Sequence, residues 1–340
     1  QISFSTGATQ KDHLIDIDGG IGTLFAYSSM ARREMPNSDI YLDGKVERLS
    51  RNGTFLGQHV CTALQGVAIH VNAFNFPVWG MLEKLAPAFL AGVPAIVKPA
   101  TATCHVTELC VRIMLDSGLL PEGTLQLVSG DLGNMLDHLT PQDIVSFTGS
   151  AETALLLRSH PRILSNATRF IAEQDSLNAS ILGPDAALGT VEFDLFTKEV
   201  IREMTTKAGQ KCTAIRRILV PEPQLEPMIE RLKSGLSEVI TGDPRLETTG
   251  MGALVSQSQK QDVLKKIRLL EKDTECILGD PETFTVEGKE LQDGAFIPPI
   301  LLYCNDPDSA KYVHSVEAFG PVSTIMAYRD IDHASTLLNN

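Results

Sequence analysis

Runs of apolar residues, broken at regular intervals by glycine, proline and polar clusters, divide the chain into alternating short strands and helices. Gly66-Val-Ala-Ile-His-Val-Asn72 is apolar and partly β-branched, which predicts a buried strand. Phe76-Pro77 follows, then an amphipathic helix over Gly80 to Ala91 that Gly92 and Pro94 end. Ala95-Ile-Val-Lys98, closed by Pro99, is a second strand. Thr101 or Thr103 is placed to cap the next helix, which runs to about Ser117 before Gly118. Leu125-Gln-Leu-Val-Ser129 and Ile144-Val-Ser-Phe147 are the third and fourth strands, with a short helical stretch at 135–138 between them. Thr148-Gly-Ser150 opens a further helix. Strands separated by helices of this length imply crossover connections and a parallel sheet. Ligands of such sheets lie at the carboxyl ends of the strands, here Asn75, Lys98, Gly130 and Gly149-Ser150.

The alternation resumes after Arg169. Strands are predicted at 179–182, 215–221 and 296–304, and helices at 193–206, 224–240, 257–270 and 332–338. The fold class is therefore α/β, with a first domain over 1–178 and a second over 179–340. The segment 41–64 fits neither. Its polar alternation and Asn52-Gly53 turn predict a hairpin that projects from the body.

Composition narrows the function classes. The formal net charge of −13 argues against a nucleic-acid partner, because phosphate binding needs clustered Lys and Arg. The longest apolar stretch, 81–97, is interrupted by Glu83, Lys84, Pro87 and Pro94, so no membrane span is expected. Residues 1–7 have no secretory pattern. The six cysteines form no CxxC pair and have no zinc spacing with histidine, which points to a reduced, cytoplasmic protein without a metal. The chain starts without methionine and stops in a helical stretch, and it reads as a piece of a longer protein.

Three segments carry candidate chemistry. In Thr206-Lys-Ala-Gly-Gln-Lys-Cys212, a glycine that permits a sharp turn precedes a cysteine, and a thiolate is the form that attacks a carbonyl. In Phe170-Ile-Ala-Glu173, an acid behind an apolar run is expected to be partly buried, with a raised pKa suited to a general base. In Asn75-Phe-Pro77, an amide at a strand end is placed to donate to a developing oxyanion. Each alone has an ordinary reading: a buried structural thiol, a solvated carboxylate, a turn asparagine.

Six ordered motifs change that balance: Asn75-Phe-Pro, Ile96-Val-Lys98-Pro99, Phe147-Thr-Gly-Ser150, Glu173 before Asp-Ser-Leu-Asn178, Gly209-Gln-Lys-Cys212, and Glu317-Ala-Phe319-Gly-Pro321. Together they resemble the aldehyde dehydrogenase superfamily over essentially the whole chain. Phe4-Ser-Thr-Gly-Ala-Thr9, Ile17-Asp-Gly-Gly-Ile21 and Arg202-Glu-Met-Thr-Thr-Lys-Ala-Gly-Gln-Lys-Cys-Thr-Ala-Ile215 are most similar to the aldehyde dehydrogenase half of the bifunctional ring-opening enzyme of phenylacetate degradation. Most superfamily members have Leu-Gly-Gly after the acid, whereas this chain has Gln174-Asp175-Ser176, as that subgroup does.

The resemblance implies a Rossmann-type cofactor domain, a catalytic domain and an oligomerisation hairpin, truncated at both ends, in a homo-oligomer. It implies Cys212 as nucleophile, Glu173 as the base that hydrolyses the thioester, and Asn75 as an oxyanion donor. It places Lys98 on the adenosine ribose, the pyrophosphate at Gly149-Ser150, Glu317 on the nicotinamide ribose and Phe319 near the nicotinamide. NAD-selective members often carry a glutamate where this chain has Thr101. An acid repels a 2′-phosphate that threonine can bond, so NADP is the expected cofactor, with NAD possible. The implied substrate is an aldehyde linked to coenzyme A, of the 3-oxo-5,6-dehydrosuberyl-CoA type. Two other readings stay open: a coenzyme A-acylating dehydrogenase or acyl reductase, and a non-catalytic dinucleotide-binding protein that keeps the fold.

Overall fold

The computed structural model describes residues 5–291 and 293–340, so Phe4 of the first subgroup motif lies outside the described residues. Contacts divide the chain into two units, one of residues 14–174 and one of residues 1–13 with 175–340. Helix α1 (Gln10–Glu34) contributes its first residues to the second of these and the remainder to the first.

In the 14–174 unit, β1 (Ile40–Arg48) and β2 (Leu56–Thr62) pair antiparallel as an exposed two-stranded hairpin. The other strands are β3 (Ala68–Val71), β4 (Ala95–Lys98), β5 (Leu125–Leu127), β6 (Ile144–Thr148) and β7 (Arg169–Glu173), all parallel in the order β5-β4-β3-β6-β7. Between them run α2 (Trp79–Leu90), α3 (Cys104–Asp116), α4 (Ala151–Arg158) and α5 (Pro161–Ser165). One face of the sheet buries Ile69, Val71, Val145 and Phe147 against Ala154 and Ile163. The chain leaves β3 toward β4 on one side and later toward β6 on the other. The strand order therefore reverses at β3/β6, and such a reversal opens a crevice beyond the carboxyl ends of those strands.

The start of α2 explains two motifs at once. Val78 supplies no side-chain cap, and the backbone N–H groups of Val78 and Trp79 donate instead to the buried Asp16 carboxylate, at 3.2 and 2.8 Å. A Cβ on Gly19 would stand 2.2 Å from the Trp79 ring, so the Ile17-Asp-Gly-Gly-Ile21 segment is glycine where α1 meets that indole.

The other unit contains β8 (Ala179–Ile181), α6 (Val191–Thr205), β9 (Arg217–Pro221), α7 (Leu225–Ser237), α8 (Gln257–Leu270), β10 (Glu275–Leu278), β11 (Ile300–Cys304), β12 (Val322–Tyr328) and α9 (Ile331–Asn339). Its sheet runs β10-β11-β12-β9-β8, parallel except for β10. Phe193, Val200 and Met204 of α6 and Met228 and Leu232 of α7 pack on Ile218, Val220, Leu301 and Ile325. No helix among the described residues is long and apolar enough to cross a membrane.

Some elements differ from expectation. α1, β7, β10, β12 and α5 were not foreseen. The seven residues of β12 are nearly all buried, and such a run has no period that separates strand from helix. β11 begins at Ile300 rather than 296, since Pro298 and Pro299 have no N–H for a ladder. Neither threonine caps α3 through its side chain; Thr103 Oγ1 donates to the Phe74 carbonyl instead, at 3.3 Å. Glu173 is exposed, not partly buried, because β7 is the edge strand of its sheet.

Candidate active site

The candidate residues divide between the units. Asn75, Lys98, Thr101, Gly149, Ser150 and Glu173 belong to the 14–174 unit, and Cys212, Glu317 and Phe319 to the other.

In the 14–174 unit, strand ends do the placing. Asn75 is buried four residues beyond β3, Lys98 is the last residue of β4, and Thr101 opens a single 3-10 turn after it. Gly149 and Ser150 follow β6, and Ser150 Oγ caps α4 by accepting from the Thr153 N–H at 3.3 Å. Glu173 ends β7 beside this turn. Its carbonyl accepts from the Gly149 N–H at 3.1 Å, and its carboxylate accepts from Thr148 Oγ1 at 3.5 Å. A cleft of about 400 Å³ is lined by Glu173, Thr148, Trp79, Lys84, Tyr27 and Ile171, among others. Asn72, one residue past β3 and only 4 % exposed, has neither amide atom hydrogen-bonded among the described residues. A buried amide without a partner costs about 1–3 kcal/mol.

In the other unit, a constrained loop does the placing. After α6 the backbone enters a left-handed turn, with φ of 52° at Lys207, 51° at Ala208 and 67° at Gly209. The two non-glycine residues each cost about 1–2 kcal/mol in this region. Hydrogen bonds hold them there. The Lys207 N–H donates to Asp12 Oδ1 at 2.9 Å, and Gln210 Nε2 donates to the Lys207 carbonyl at 2.9 Å. Asp12 itself closes a reciprocal cap with Thr9 at the start of α1. Gly209 has no substitute, since a Cβ there would stand 2.1 Å from the Gly320 carbonyl oxygen.

Cys212 is exposed, and its neighbours are clamped on both sides. Lys211 Nζ donates to both oxygens of the buried Glu203 carboxylate at 2.7 and 2.8 Å, and Thr213 Oγ1 donates to the same carboxylate at 3.2 Å. The Cys212 carbonyl accepts from Ser176 Oγ at 3.2 Å and from Asn178 Nδ2, whose second bond goes to the Ala214 carbonyl at 3.3 Å.

Glu317 joins this cluster. Its carboxylate accepts from Arg216 Nε at 3.1 Å and from the Ser176 N–H at 3.2 Å. Burial raises its pKa, opposed by the Arg216 charge and by the Ser176 N–H. The Arg216 guanidinium lies 5.4 Å from the centre of the Phe319 ring, a cation–π distance. The structure thus brings Cys212, Glu317 and Phe319 into one network through Ser176 and Arg216.

Sequence reasoning missed Glu203 and Arg216. A signal existed for both. Glu203 lies three residues from Val200 on the buried stripe of α6, and Arg216-Arg217 leads into a buried strand, where charges persist only when paired.

Comparison with known proteins decides the family. The aldehyde dehydrogenase family model matches residues 1–340. The chain belongs to the aldehyde dehydrogenase family. It is 42% identical over 326 residues to the 3,4-dehydroadipyl-CoA semialdehyde dehydrogenase of Aromatoleum evansii, covering 96% of this chain and 63% of that protein. The chain thus spans less than two thirds of the length of the curated relatives it matches. Two solved structures share the aldehyde dehydrogenase fold. One is betaine aldehyde dehydrogenase from Staphylococcus aureus in complex with NAD+, with a TM-score of 0.84 and 23% identity over 100% of this chain and 64% of that one. The other is succinic semialdehyde dehydrogenase from Streptococcus pyogenes in complex with NADP+, with a TM-score of 0.84 and 20% identity over 100% of this chain and 69% of that one.

Proposed function

We propose that the protein oxidises an aldehyde linked to coenzyme A to its carboxylic acid with NAD(P)+, and that the substrate is a semialdehyde of aromatic, phenylacetate-type catabolism. The observation that carries this reading is the thiol loop, in which an exposed cysteine has its carbonyl and both flanking side chains tied down. The similarity to a CoA-semialdehyde dehydrogenase supports the substrate class.

The Cys212 thiolate adds to the aldehyde carbon and forms a thiohemiacetal, whose oxyanion takes a hydrogen bond from the Asn75 amide. A nicotinamide held by Glu317 and Phe319 would supply the hydride acceptor for that carbon, and loss of the hydride would leave a thioester on Cys212. Glu173 takes a proton from water, and the resulting hydroxide displaces the thiolate to release the acid. Exposure on an edge strand suits this step, since the base must reach water.

The 14–174 unit has features that fit a dinucleotide. Its strand order reverses at β3/β6, the N-terminus of α4 sits at that crevice, and Asn72 presents an unsatisfied buried amide one residue past β3. Lys98 and Thr101 would hold the adenosine ribose and its 2′-phosphate, Gly149 and Ser150 the pyrophosphate, and Glu317 and Phe319 the nicotinamide ribose and ring. Two hydrogen bonds on the Glu317 carboxylate leave lone pairs for ribose hydroxyls. The hairpin of β1 and β2, with Leu42, Val46, Phe55 and Val60 exposed, would pair with another copy of the chain.

The test is an assay of the purified protein with free and CoA-linked semialdehydes and both nucleotides, with product identification. A free acid formed with either nucleotide, and faster with NADP+, is the expected result. A thioester formed only with added coenzyme A would replace this reading by the acylating one. No turnover with any aldehyde would leave a binding protein of this fold.

A further inference from the structure

We propose that Arg216 is a positioning residue for this reaction. It holds the loop of Cys212 and the loop of Glu317 and Phe319 at one spacing and orientation. The inference rests on the function proposed above.

Four bonds carry it. Arg216 Nε donates to Glu317 Oε1 at 3.1 Å and Nη1 to the Gly320 carbonyl at 2.8 Å. Nη2 donates to the Gly209 carbonyl at 2.9 Å and to the Lys211 carbonyl at 3.4 Å. Gly209 and Lys211 lie three residues and one residue before the thiol, and Gly320 lies three residues after Glu317. One planar guanidinium therefore spans both loops. Its rigid fork fixes angle as well as distance, which a lysine ammonium cannot do. Gly209 approaches Gly320 so closely that no side chain fits between them, so the two loops already touch at the backbone where Arg216 binds them.

Stability alone is a poor reason to keep such a residue. Its side chain is only 4% exposed, and a buried ion pair is often no more stabilising than apolar side chains of the same size. Fixing the thiol relative to the acid proposed for the nicotinamide ribose is a reason that geometry supplies. The next residue is a natural control. Arg217 donates through Nη1 to the Leu337 carbonyl and to His314 Nδ1 and through Nη2 to the Leu177 carbonyl, all at 3.1 Å; it reaches the Glu317 side only at His314 and, among the described residues, its side chain makes no bond to the loop of Cys212, so it does not span the two.

The experiment uses purified wild type, Arg216→Gln, Arg216→Lys and Arg217→Gln. Reactive Cys212 is counted by iodoacetamide labelling, so that each rate refers to titrated thiol. The readouts are kcat, the KM of the nucleotide and the primary isotope effect with aldehyde deuterated at C1. In Arg216→Gln, kcat per thiol should fall about a hundredfold, as for a displacement near 1 Å at a reacting centre. The isotope effect should rise as hydride transfer becomes the slow step. Arg216→Lys keeps a charge opposite Glu317 and should recover nucleotide KM but not the wild-type isotope effect. Arg217→Gln should lower the melting temperature and the titratable fraction while KM and the isotope effect stay at wild-type values. Wild-type kcat per thiol and isotope effect in Arg216→Gln, with an active wild type, would overturn this inference alone. A wild type that turns over no aldehyde overturns the function and this inference together.

Discussion

The two units place their candidate residues in different ways. In the 14–174 unit the backbone topology does it: Asn75, Lys98, Gly149-Ser150 and Glu173 sit where four parallel strands end, and few side-chain bonds hold them. In the other unit, the loop before Cys212 passes through a left-handed turn that its own residues disfavour. Asp12, Glu203, Ser176, Asn178 and Arg216 hold it and the thiol in place. A site built at strand ends tolerates substitution around the functional group, since the sheet persists. A site built on a strained loop depends on each residue that compensates the strain.

The predictions probe this contrast. The largest effect is expected from Cys212→Ala, which should lower kcat by on the order of 10⁴-fold or more and leave nucleotide binding unchanged, as measured by steady-state kinetics and fluorescence titration. Next comes Glu203→Ala, which removes the buried carboxylate that pairs with half-buried Lys211 and should cost about 3 kcal/mol, read from chemical denaturation. If Glu203→Ala proves as mild as a surface change, the loop is not held by its clamps and the contrast fails. Asn75→Ala should cost about 3 kcal/mol of barrier, seen in kcat, with stability nearly unchanged.

Acidification distinguishes the units in another way. His70, buried in β3, has its pKa lowered from 6.5 to about 4, first by burial and then by the Lys84 charge. The unfolded chain binds this proton more readily, so stability falls as pH drops from 6.5 toward 4, by on the order of 3 kcal/mol over that window. Denaturation of His70→Leu should show a shallower loss than wild type between those pH values, and an equal slope would exclude the histidine as its source. The smallest effect is expected from Thr101→Glu, which should shift the nucleotide preference toward NAD+ by roughly tenfold, about 1.4 kcal/mol, in kcat/KM. If Thr101→Glu has no effect on that ratio, the strand-end residue does not meet the 2′-position.

Much of the parallel sheet in the 14–174 unit could be read from sequence because its strands are short apolar runs bounded by proline and glycine, with helices of crossover length between them. β7 was not, since its apolar run, Phe170-Ile-Ala172, is only three residues long and lies between Arg169 and Glu173, and its position at the sheet edge exposes Glu173. For the residues that hold the thiol loop, the sequence signalled buried charges but not their partners. Glu203 meets Lys211 and Thr213 across a helix end, and Arg216 meets Glu317 from 101 positions away in the chain.

Sequence by itself determined the α/β alternation, the hairpin and the family, because each depends on local periodicity, turn chemistry or an ordered set of short motifs. Only the tertiary structure decided which carboxylate is buried and which exposed, how a left-handed turn is held before Cys212, and that one arginine joins two distant loops. Burial and long-range hydrogen bonds arise when separate segments pack together, and no local pattern of residues records which partner each buried charge will meet.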